Sequence, residues 1–113
     1  MATVNVYQQF FAAECVYNDV ERRAASVLLI ATSEEGHISY EVAVSFFPHV
    51  DDEDFAVSYD AYFFKILYQS PGRRSKKREE HLMALLRDEA NLLANQVQAK
   101  IFWDRPLRDA RMG

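Results

Sequence analysis

The segment HISYEVAVSFFP, residues 37–48, sets Ile38, Tyr40, Val42, Val44 and Phe46 against Ser39, Glu41, Ala43 and Ser45 in strict alternation. Successive side chains of a strand point to opposite faces, so this spacing predicts one apolar face and one of small or polar groups. Such a strand belongs to an antiparallel sheet that is buried on one side and open to water on the other. Other parts of the chain must cover the apolar row.

Immediately upstream, SVLLIATS (residues 26–33) is a compact apolar run rich in branched side chains. Glu34, Glu35 and Gly36 leave room only for a tight turn, which predicts a β-hairpin. Pro48 has no N–H to donate and ends the second strand. Residues 3–24 carry Val6, Phe10, Cys15 or Val16, and Val20 near helical spacing, with Tyr7, Phe11 and Tyr17 widening the stripe. This predicts a helix capped by Thr3 or Asn5, although Val4 and Val6 around Asn5 also read as a short strand before it.

Downstream, His49 and Val50 lead into four acids, Asp51, Asp52, Glu53 and Asp54, a polar turn. Residues 55–69 satisfy both periods. Phe55, Val57, Tyr59, Ala61 and Phe63 alternate, whereas Phe55, Tyr59, Tyr62, Phe63, Ile66 and Leu67 are helically spaced. The strand is preferred because Phe, Val and Tyr dominate its first half. The doubled Phe63-Phe64 then marks a bulge, beyond which Phe64, Ile66 and Tyr68 turn inward. Ser70-Pro71-Gly72 breaks the chain. A long helix follows from Ser75 to about Lys100, with Leu82, Leu85, Leu86, Ala90, Leu93 and Val97 on one face and no Gly or Pro. Ile101, Phe102 and Trp103 are apolar enough to be tied to the body. The expected fold class is α+β: a two-layer sandwich with an antiparallel three-stranded sheet in α-β-β-β-α order, both helices on one face. Residues 1–104 form one domain in this reading, and residues 105–113 a flexible basic tail.

A chain of 113 residues with half its residues hydrophobic and 27% charged can bury a core without metals or disulfides. The lone Cys15 excludes an internal disulfide or a multi-cysteine zinc site and suits a cytoplasmic setting. No apolar run reaches the roughly 18 residues of a membrane span, so no membrane partner is expected. Charge is divided unevenly. Residues 1–70 hold three basic and eleven acidic side chains, and residues 71–113 hold ten basic and six acidic. Such a division suits either an anionic partner or complementary surfaces in an oligomer.

Two surfaces carry the functional expectation. The first is Arg73, Arg74, Ser75, Lys76, Lys77 and Arg78, five cations in six residues at a helix start. Cations there oppose the helix dipole, while the free backbone N–H groups of that end suit an anion such as a nucleic-acid phosphate. The same run also reads as a solvated surface, with Glu79 and Glu80 next to it. The second is the open sheet face, where Ser39, Glu41, Ala43, Ser45 and Phe47 adjoin Ala56, Ser58, Asp60 and Tyr62. Phe47 and Tyr62 would be aromatic anchors for a protein contact.

The order helix, three strands, helix resembles that of double-stranded RNA-binding domains. Gly36-His37 and Lys76-Lys77 stand in places comparable to that family's loop and last-helix motifs, and Glu14 falls in the first helix. The resemblance implies duplex recognition through shape and phosphates. It is one of order: the chain lacks the family's Ala-rich last helix and is acidic overall.

Catalytic signals are absent. His37, His49 and His81 are scattered, Asp51–Asp54 beside His49 lacks the spacing of a calcium loop, Cys15 reads as a small hydrophobe, and no G-x-S-x-G occurs. No cofactor or metal is expected. The sequence therefore predicts a non-enzymatic binding or interaction domain whose partner is a second copy or another protein. A nucleic-acid module is the alternative, and a small enzyme comes third.

Overall fold

Residues 3–24, expected to be a helix, instead form a strand joined by a turn to a second strand, which also takes in the strand expected over residues 26–33. The computed structural model describes residues 2–48 and 61–107. In chain order these are β1 (Ala2–Tyr17), β2 (Val20–Glu34), β3 (His37–Phe47), β4 (Tyr62–Pro71), α1 (Lys76–Gln96) and β5 (Lys100–Leu107). The strands make one antiparallel sheet in the order β4-β3-β2-β1-β5. The three-stranded sheet with two helices is thus replaced by five strands and, among the described residues, one helix. With no first helix, the topological likeness to double-stranded RNA-binding domains is lost.

The turn between β1 and β2 explains the change. Asn18 and Asp19 both take left-handed backbone angles, φ 53° and 63°, between the paired residues Tyr17 and Val20. A two-residue turn with both φ positive matches the twist of a hairpin, and Asn and Asp accept it more readily than other side chains. β1 also carries register shifts at residues 5–7 and 12–15. Val4, Tyr7 and Phe11 consequently stand opposite Ala31, Leu29 and Ala25, which share the face of β2 that lies against the helix. Spacings of three and four along a bulged strand imitate a helical stripe.

The second hairpin forms as expected. Glu35 and Gly36, at φ 50° and 79°, join Glu34 to its partner His37. Ile38, Tyr40, Val42, Val44 and Phe46 are all buried, most of them completely. α1 covers them with Leu82, Leu86, Ala90 and Leu93, spaced so that one helical stripe meets the sheet. Ser75 caps α1 at its start. Its end is a Schellman turn, in which Ala99 N–H donates to Ala94 O and Gln98 N–H to Asn95 O.

From Tyr62 onward the expected strand is present as β4, while its expected start at Phe55, Val57 and Tyr59 lies outside the described residues. The bulge is not at Phe63-Phe64. The register shifts at Leu67, which has no partner between Ile66 (opposite Glu41) and Tyr68 (opposite Tyr40). Phe63 therefore points inward, 6.2 Å from the Phe46 ring and 5.6 Å from Tyr17, while Phe64 and Ile66 point outward. At the other border, Phe11 packs edge-on to Trp103, whose Nε1 donates to Asn91 Oδ1 at 2.9 Å. Arg105, Pro106 and Leu107, expected to begin the tail, extend β5. The acidic run with His49, and Ala56, Ser58 and Asp60, lie outside the described residues.

Candidate functional site

The start of α1 is fastened to β3 by a charged network. Ser75 accepts from Arg78 N–H at 3.2 Å, closing the first turn. Glu79 then falls on the buried stripe, three residues before Leu82. A carboxylate placed there needs compensation. Arg74 supplies it through Nε at 2.8 Å and Nη2 at 2.9 Å, and the Tyr40 hydroxyl donates to the same carboxylate at 2.8 Å. The Tyr40 hydroxyl in turn accepts from Ser75 N–H at 3.1 Å. The paired Arg74 hydrogen bonds outweigh the cost of burial and hold Glu79 below its usual range. Burial pushes the Tyr40 phenol up. Tyr40 is thus the polar member of the apolar row because it relays β3 to the helix.

The six predicted positions consequently divide. Arg74 is neutralised by Glu79 and Ser75 is occupied as the cap. Arg78 lies over the Tyr68 ring, 4.1 Å from its centroid. A hydrogen bond from Ser70, with the Arg78 charge, lowers the Tyr68 phenol below its ordinary value. Arg73, Lys76 and Lys77 are exposed and make no ion pair among the described residues. Ser75, Lys77, Arg78 and His81 line a shallow depression of about 350 Å³. The run is therefore partly structural and partly open.

The sheet face away from the helix is the second surface. Phe47 is buried, 3% exposed, and packs with Phe10, Ala24 and Leu107 in a small second core. It offers no outward anchor. Ala43 and Ser45 are buried as well. Tyr62 is 40% exposed and its ring meets Phe64, whose exposure is 59%. Ile66 continues the row at 49%. In register, Phe64 adjoins Ala43 and then Leu28, and Ile66 adjoins Glu41 and then Ile30. Leu28 and Ile30 are half-buried. The outward apolar row is thus Tyr62, Phe64 and Ile66. Phe64 and Ile66 were missed because the bulge was placed three residues too early.

The described residues contain no group of three His, Cys, Asp or Glu side chains placed to hold a metal. Among them, no helix is long and apolar enough to cross a membrane. No family model, curated protein or solved structure matches the chain.

Proposed function

We propose that this chain is a non-enzymatic interaction domain that associates with itself through the β4 side of its outer sheet face. The observation that carries the reading is the row Tyr62, Phe64 and Ile66, three large side chains held outward on one strand. Exposed single apolar residues are ordinary, but a contiguous row on a rigid sheet is the kind of patch that a partner covers. The lone, buried Cys15 suits a reducing, cytoplasmic setting. Sedimentation of the full chain over a concentration series tests the reading. A dimer mass is expected, and Phe64→Glu should weaken association at least about thirtyfold, the ~2 kcal/mol of a central aromatic contact. A chain that stays monomeric throughout the series contradicts it.

Arg73, Lys76 and Lys77 favour a second reading, binding to a nucleic-acid backbone, because they remain exposed without carboxylate partners among the described residues.

A further inference from the structure

The two margins of the sheet are built differently. β5 forms one margin, and its pairing with β1 is interrupted: Phe11 stands opposite Pro106, but the next residue, Ala12, stands opposite Phe102. The stretch between is displaced from register and carries Asp104 and Arg105, while Pro106 has no N–H to offer. Lys100 and Arg105 approach the Phe102 ring to 5.1 and 5.0 Å from its centroid. Irregularities, prolines and charges are the features that keep an edge strand from pairing with another chain. β4 forms the other margin and has none of them across residues 62–66, apart from Lys65. That one charge is held by Glu89 on α1 at 2.8 Å. The unpaired Leu67 and Pro71 both come later.

The backbone of β4 is oriented for use. Phe46 N–H donates to Ala61 O at 2.9 Å, which sets the alternation of the ladder. Ala61, Phe63 and Lys65 turn their N–H and C=O groups toward β3, so Tyr62, Phe64 and Ile66 turn theirs toward the open margin. The same three residues form the outward apolar row.

The geometry points to a second copy of this chain on that margin: two β4 strands pair antiparallel about a two-fold axis at Phe64, joining two five-stranded sheets into one. Tyr62 of each copy then faces Ile66 of the other, and all three residues use the N–H and C=O groups that β3 leaves free. Lys65 falls opposite Phe63. An axis at Lys65 would instead set two like charges face to face, and an axis at Ile66 would run into the unpaired Leu67. Because the β5 margin is closed to pairing, assembly stops at two chains and cannot extend into a filament. This inference rests on the self-association proposed above and adds its geometry.

Residue-resolved amide exchange on the full chain, run beside sedimentation, tests it. The amides of Tyr62, Phe64 and Ile66 should become protected as concentration rises through the dimerisation range, while those of Phe63 and Lys65 are protected throughout. Phe64→Pro removes an N–H that the chain's own ladder does not use, so the circular dichroism of the sheet should persist. Association should weaken at least about tenfold more in Phe64→Pro than in Phe64→Leu, which keeps the N–H. A dimer whose Phe64 and Ile66 amides exchange freely overturns edge pairing and leaves self-association standing. Species that keep growing with concentration overturn closure at two chains. A monomer at every concentration overturns both the geometry and the association it rests on.

Discussion

Glu79 shows how one side chain changes meaning between sequence and structure. Next to Glu80 at the end of a basic run, it reads as one more solvated charge. Yet it lies three residues before Leu82, at the head of the stripe that continues through Leu86, Ala90 and Leu93, and extending that stripe backward would have found it. Of its partners, Arg74 stands five residues before it but reads as one more cation of the run, and Tyr40 lies on another element, where the alternation marks it as apolar. Tyr40→Phe removes a donor to Glu79 and an acceptor for Ser75 N–H, so it should cost about 1–3 kcal/mol by denaturant titration. The network also predicts a pH dependence. Glu79 has a folded pKa below its unfolded value, so its contribution is full above the ordinary carboxylate value of about 4.3 and disappears as pH falls through the lower folded value. Glu79→Gln should therefore be less stable than the parent near neutrality. Melting curves should show that gap narrowing on acidification below that value.

The helix placed over residues 3–24 and the strands found there differ through two bulges and one turn. Each bulge in β1 moves the inward position along by one or more residues, and an alternating pattern so displaced has the period of a helix. The composition was the better guide: Val4, Val6, Tyr7, Phe10, Phe11, Val16 and Tyr17 are strand formers, and Asn18-Asp19 is a two-residue turn. The hairpin of β2 and β3 was legible because neither strand has a bulge against the other and Gly36 marks the turn. For α1, composition and spacing agreed, and its termination can be improved. Gln98 closes the Schellman turn at φ 56°, where glycine pays no steric penalty. Gln98→Gly should stabilise the fold by up to about 1 kcal/mol, part of the gain being offset by greater freedom in the unfolded chain. Thermal melts of the two proteins would show an upward shift.

Across the whole molecule, charge and shape divide the two candidate partners. The β4 margin is almost uncharged, so a dimer formed through it, as proposed, should be little affected by salt, whereas contacts to phosphates are steeply weakened by it. If Lys76 and Lys77 each meet a phosphate, Lys76→Gln with Lys77→Gln should lower the slope of log affinity against log salt by roughly two, measured with duplex RNA and DNA. A flat response in both proteins removes the nucleic-acid reading. The sequence showed the uneven charge but not which cations the fold consumes: Arg74 serves Glu79 and Arg78 covers Tyr68. It also gave no sign that the last strand returns to lie beside the first, because that pairing joins segments at opposite ends of the chain. This return matters during synthesis. While β5 is still within the ribosome, β1 has nothing along its outer side, and a nascent chain presents two sticky borders in place of one. If two chains pair as proposed, loss of β5 by a premature stop or a protease would let copies add at both margins of the sheet.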